Sequence, residues 1–172
     1  SGRLLFYEKK CKIDKYDCII FNFKDGSQLR LGSKRKFSTV HLVKDIKDAG
    51  GLLSELGPET LSKDFTLNKF KEMISKRKAM IKPLIMNQRF LAGVGNIYAD
   101  EALHLSKIHP ETKANKLSDT EIKDLYKSIK KVLKDGIKHN GTSRQDYVNV
   151  NGDSGSHQQY LNVYGREGKK CK

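Results

Sequence analysis

The hydrophobic period of the chain changes partway along, from about 2 to about 3.6, and few architectures accommodate both in that order. Before Gly57 the apolar residues come in short β-prone runs. Leu4-Leu-Phe-Tyr7 and Cys18-Ile-Ile-Phe-Asn-Phe23 are two of them, Asp25-Gly26 is a hairpin turn signal, and Gln28-Leu-Arg-Leu31 alternates after it. Val40-His-Leu-Val43 offers a further strand. From Thr66 the spacing is helical, with Leu67, Phe70, Met73 and Ile74 on one face. Ser118-Asp-Thr-Glu121 is a capping box, and Ile122, Leu125, Ile129, Val132, Leu133 and Ile137 follow it on one apolar face up to Asn140-Gly141. Lys127, Lys130, Lys134 and Lys138 fall on the opposite side and read as a solvated face. Gln159-Tyr-Leu-Asn-Val-Tyr164 reads as a closing strand. The expected class is α+β, an antiparallel sheet followed by a helical domain.

Between Lys82 and Leu103 the helical pattern is broken by Gly93 and Gly95, and a new helix runs on through Tyr98, Ala102 and Leu103. Asn96 stands where a side-chain oxygen can cap its first turn. A helix that starts at a glycine-rich turn presents unpaired N–H groups at the positive end of its dipole, which suits an anion. The same pattern also serves if Gly93 merely ends one helix and Asn96 merely caps the next. Two readings likewise fit Gly32-Ser-Lys-Arg-Lys-Phe-Ser-Thr39. It is either a solvated basic loop with Phe37 tucked into the sheet, or a set of cations and an apolar wedge that hold open a duplex at an extruded base. The stretch from Gly141 to Ser156 is polar, glycine-bearing and aperiodic, as a functional loop would be.

Composition narrows the partner. Thirty-four Lys and Arg against 20 Asp and Glu give a net charge of +14 over 172 residues, the footprint of a polyanion binder, with nucleic acid the leading case. A membrane surface would favour a basic amphipathic helix with bulky aromatics, and there is no Trp. No run of 18 apolar residues exists, and Ser1-Gly-Arg is followed by no signal-peptide region, so a cytoplasmic, nucleoid-associated setting is expected. Cys11, Cys18 and Cys171 form no Cys-x-x-Cys pair. Cys11 and Cys18 read as buried small hydrophobes rather than metal ligands.

Lys82-Pro-Leu-Ile-Met-Asn-Gln88, followed by Ala92-Gly-Val-Gly-Asn-Ile-Tyr-Ala-Asp-Glu-Ala-Leu103, resembles the helix-two-turn-helix motif of the formamidopyrimidine-DNA glycosylase and endonuclease VIII family. The Leu-Gly-Pro-Glu stretch at Leu56 and the long loop after Gly141 lean toward the DNA-formamidopyrimidine glycosylase branch. The resemblance implies that Asn96 and the backbone at Gly95 hold a DNA phosphate, with Lys82 close by, and that Tyr164 binds another. Arg35 would fill the space opposite the lesion and Phe37 would wedge beside it. Here Lys36 replaces the family's second arginine and Ser38 its glycine, which keeps the charge but loses the bidentate fork. Thr142, Arg144, Gln145, Asp146 and Tyr147 would belong to the lesion-recognition loop, with Gln145 where the family carries arginine.

The same resemblance divides the chain into residues 1–60, part of an N-terminal β-sandwich domain; 61–141, the helix-two-turn-helix domain; and 142–172, the lesion loop and the start of a zinc ribbon. Cys171 matches the first of four zinc-binding cysteines, so zinc is expected in the full-length parent and none on this chain, because one cysteine cannot close a structural site. Ser1-Gly-Arg-Leu resembles the tail of a segment that follows the family's catalytic N-terminus. That part supplies a proline amine as nucleophile, a glutamate as acid/base and a lysine for lyase steps. The implied parent is a base-excision repair enzyme, a glycosylase with abasic-site lyase activity that removes oxidised purines from double-stranded DNA. The chain itself would be an inactive, monomeric DNA-binding portion with no catalytic residue. The alternative is a non-catalytic nucleic-acid-binding protein that uses the same motif.

Overall fold

In the computed structural model the described residues are 2–45, 50–143 and 147–172. They form two compact units, one from Ser1–Val43 with Gly136–Tyr160, the other from Lys44–Asp135 with Leu161–Lys172. These are cut differently from the expected domains. Residues 50–60 belong with the helical unit, and the stretch after Gly141 belongs with the sheet as far as Tyr160.

The first unit holds an antiparallel sheet of β1 (Gly2–Tyr7), β2 (Asp17–Asn22) and β3 (Gln28–Ser33), in the order β1-β3-β2. Leu4 faces Leu31, and Ile19 faces Leu31 from the other side; Phe6 and Phe21 flank Leu29 in the same way. The β2–β3 turn is the one expected at Asp25-Gly26. Gly26 has φ +87°, and the Asp25 carboxylate accepts from the Ser27 N–H and hydroxyl at 3.0 and 2.7 Å. Val40–Val43 is not a strand: the segment is exposed, Leu42 fully so, and no strand pairs with it among the described residues. Cys11 and Cys18 are exposed rather than buried.

The second unit carries the helices α1 (Gly51–Ser54), α2 (Leu67–Ser75), α3 (Ile81–Met86), α4 (Asn96–Leu105) and most of α5 (Asp119–Lys138). Thr66 caps α2 by accepting from the Lys69 N–H. The Ser118 capping box forms as read: Glu121 accepts from the Ser118 N–H at 2.7 Å, and the Ser118 hydroxyl accepts from the Glu121 N–H at 3.2 Å. Phe65, Phe70, Ile74, Ile85, Leu125 and Ile129 are fully buried at the centre of this unit. Two details of α5 differ from the sequence reading. Ile137 is exposed, since the helix's apolar stripe stops with Leu133. Lys130 is not solvated: its ammonium donates to the Phe65 carbonyl at 3.2 Å and to the Tyr126 hydroxyl at 2.8 Å.

Candidate functional site

The connection between α3 and α4 is built around one amide. Gln88 donates from Nε2 to the carbonyls of Met86 and Val94 at 3.1 and 2.8 Å and accepts from the Gly93 N–H at 2.9 Å. Its side chain therefore satisfies three backbone groups that two consecutive turns leave without helical partners. Gly93 sits at φ +89°, which a side chain would strain. Gly95 is extended, at φ −102° and ψ 179°, and is the N-cap of α4. A Cβ added to Gly95 would meet nothing within 4 Å, so its backbone faces open space.

Asn96 is the first residue of α4 and not its cap, because Gly95 already occupies the half-helical position and no side chain caps the turn. The Asn96 amide is instead one wall of a cleft of about 440 Å³ shared with Lys82, Asp100, Tyr164, Arg166 and Lys169. Lys82 reaches it from α3, where its N–H donates to the Pro110 carbonyl at 3.1 Å. Its ammonium lies 2.7 Å from the Asp100 carboxylate, with both side chains about three-quarters covered. Asp100 is one helical turn beyond Asn96, so α4 presents amide and carboxylate on one face.

Tyr164 is positioned by Glu101, which sequence reasoning did not single out. The Glu101 carboxylate is 3% exposed and accepts from the N–H groups of Asn162, Val163 and Tyr164 at 2.8, 2.9 and 2.9 Å, and from the Asn162 side chain at 3.0 Å. Burial works to raise its pKa, but the donors from Tyr164, Val163 and Asn162 outweigh it and hold the group below its ordinary value. This also explains why Gln159–Tyr164 is not the expected strand. The N–H groups that would join a ladder are spent on a carboxylate, and residues His157–Tyr160 form a 3₁₀ helix. Cys171 lines the same cleft and is exposed. No three His, Cys, Asp or Glu side chains among the described residues are arranged to hold a metal, so what is present does not fit a zinc site.

The other candidates lie in the sheet unit. Phe37 is 83% exposed, which rules out the reading that tucked it into the sheet; the Arg35 guanidinium sits 5.8 Å from its ring centre. Lys36 is held at φ +55°, and its N–H donates to the Ser33 carbonyl at 3.3 Å, so the loop turns back just before Phe37. Thr142 is buried, while Tyr147 is exposed with its ring against Gly141. The Ser143 hydroxyl donates to the Tyr147 carbonyl at 2.6 Å and accepts from the Gly155 N–H at 2.8 Å, tying the two ends of the polar segment together. Arg144, Gln145 and Asp146 lie outside the described residues. The site residues thus fall into two groups, Lys82, Gly95, Asn96 and Tyr164 around one cleft, and Arg35, Phe37, Thr142 and Tyr147 in the sheet unit.

Comparison with known proteins gives these groups a common context. Residues 56–148 match the model of the formamidopyrimidine-DNA glycosylase H2TH domain. The chain is 42% identical over 173 residues to a formamidopyrimidine-DNA glycosylase of Desulforamulus reducens, covering 99% of this chain and 62% of that protein. It is also 42% identical to the Bacillus subtilis protein of that name, covering 100% of this chain and 63% of the relative. Its fold matches the Lactococcus lactis Fpg in complex with abasic-site DNA at a TM-score of 0.89 and 35% identity, over 99% of this chain and 63% of that one. A mutant of the same protein, in complex with Fapy-dG-containing DNA, matches equally well. The chain therefore spans somewhat less than two thirds of the length of these relatives. With more than half of its residues matched by the family's own domain model, the chain belongs to the formamidopyrimidine-DNA glycosylase family.

Proposed function

We propose that this chain is the DNA-binding part of a base-excision repair glycosylase that removes oxidised purines from duplex DNA and cuts the resulting abasic site. It acts as a cytoplasmic monomer on nucleoid DNA. The observation that carries the reading is the convergence of Lys82, Asn96 and Tyr164 on one cleft beside the open N-terminus of α4. An ammonium, an amide, a phenol and the positive end of a helix together suit a phosphate oxygen, with Lys82 the only side chain of these that neutralises charge. Arg35 and Phe37 enter the gap left by an extruded base, and the loop that carries Thr142 and Tyr147 serves to recognise that base.

A salt titration of binding to an 8-oxoguanine duplex tests this. With roughly 4 to 6 phosphate contacts, log K should fall against log salt with a slope of about −4 to −5, at about −0.9 per neutralised phosphate. Lys82→Ala should weaken binding and reduce the slope by about one. Equal slopes for wild type and Lys82→Ala would show that Lys82 meets no phosphate. Because Asn96 caps nothing, Asn96→Ala should lower affinity with little change in helix stability or slope.

Phe37→Ala tests the second group. An exposed side chain costs little on removal, so the melting transition should stay within about 0.5 kcal/mol of wild type. Affinity for an abasic-site duplex should drop by about 1–3 kcal/mol, the usual worth of an aromatic against a base. A variant that binds that duplex as wild type does would remove Phe37 from the interface.

A further inference from the structure

We infer that Asp100 is a positioning and specificity residue for the phosphate cleft: its carboxylate orients the Lys82 ammonium and masks its charge until a phosphate arrives at the Gly95–Asn96 turn. This rests on the proposed role of Lys82. Three observations carry it. The Lys82 Nζ to Asp100 Oδ1 distance of 2.7 Å is that of a charge-assisted hydrogen bond, formed where both side chains are largely covered and screening by salt is reduced. Both groups line the cleft with Asn96. Asn96 and Asp100 are one turn apart on α4, so any anion seated at the helix N-terminus beside Asn96 comes close to the carboxylate as well.

An ammonium carries three donors, and Asp100 takes one. The other two remain for a ligand, in a direction set by the ion pair. The pairing has an electrostatic cost for the ligand: the carboxylate repels any phosphate that approaches, so the long-range pull of Lys82 on duplex in general is largely cancelled. A phosphate held at the Gly95–Asn96 turn gains enough from the helix N–H groups and the Asn96 amide to overcome that repulsion, and Lys82 then bridges carboxylate and phosphate. A duplex whose phosphate is not held at that turn gains little from Lys82. Asp100 in this way lowers overall affinity and raises discrimination.

The test uses this 172-residue chain as wild type, Asp100→Asn, Lys82→Ala and the double variant. Binding is measured from about 50 to 200 mM salt on an undamaged duplex and on one with a single abasic site. Asparagine keeps the size and a hydrogen-bonding oxygen while removing the charge. Asp100→Asn should bind undamaged duplex more tightly with a slope steeper by about 0.9, so its advantage over wild type shrinks about three- to fourfold across that salt range. The ratio of abasic to undamaged affinity should fall. With Lys82 already removed, Asp100→Asn should no longer steepen the slope by that unit. A slope unchanged by Asp100→Asn while Lys82→Ala flattens it would overturn the masking role and leave the phosphate reading intact. Weaker binding to both duplexes at constant slope would make Asp100 merely structural and overturn the proposal. Wild type and Lys82→Ala with equal slopes on the abasic duplex would overturn the phosphate reading and the role of Asp100 together. Matching melting curves for wild type and Asp100→Asn exclude misfolding as the cause.

Discussion

Glu101→Ala is expected to destabilise the helical unit by about 3–5 kcal/mol, because it orphans three consecutive backbone N–H groups beside a buried position. The carboxylate takes four hydrogen bonds, three from the N–H groups of Asn162, Val163 and Tyr164 and one from the Asn162 side chain. Glu101→Gln separates charge from shape, since its amide nitrogen would point a donor at donors. The acid limb of the stability curve carries a second signature. Glu101 titrates below its ordinary value of 4.5 in the folded protein, so its contribution is present above the unfolded value and is lost as pH falls through the lower folded value. Urea melts of wild type and Glu101→Gln, followed from neutral pH downward, should converge as pH falls through that lower folded value, where the wild-type carboxyl takes up its proton and its advantage goes. A gap that stays constant over that range would mean that the Glu101 charge contributes nothing.

The importance of Glu101 was not legible in the sequence, although its neighbour Asn96 was. A glycine-rich turn at a helix start is a local pattern, readable from spacing, and so are the Ser118 capping box and the Asp25-Gly26 turn. Glu101 instead serves residues about sixty positions later. Nothing near it announces that Asn162–Tyr164 will end against its carboxylate, and those residues look like a strand because their composition is β-prone. The partnership of Lys130 with Phe65 and Tyr126 was hidden for the same reason: on an amphipathic helix a lysine at the edge of the apolar stripe looks like one in solvent. Val40–Val43 failed differently. It has strand composition, but a strand needs a neighbour, and none of the described residues supplies one.

The sheet shows how a correct period can still point the wrong way. The alternation of Gln28-Leu-Arg-Leu31 in β3 is plain in the sequence, and the usual inference puts the apolar side inward. Here Leu4, Phe6 and Phe21 are exposed, while Gln28 and Arg30 on the opposite face are buried. What makes that face viable is a saturated guanidinium. Arg30 donates to the carbonyls of Lys12 and Cys11 at 2.9 and 2.8 Å, to Gln28 Oε1, and to Asp17 at 3.1 Å, and it lies over the Tyr7 ring at 4.4 Å. Both members of the ion pair are 1% exposed.

Asp17→Ala should therefore cost about 3–5 kcal/mol, the price of leaving a buried cation without its counter-charge. The loss exceeds the worth of one hydrogen bond because desolvation of the guanidinium is no longer offset. Replacing both partners, Asp17→Ala with Arg30→Met, removes the stranded charge along with its acceptor, and most of the stability should return. Chemical denaturation of wild type, the two single variants and the double variant measures this coupling. A double variant no more stable than Asp17→Ala alone would show that the carbonyls of Lys12 and Cys11, orphaned by the loss of Arg30, matter more to this face than the ion pair does.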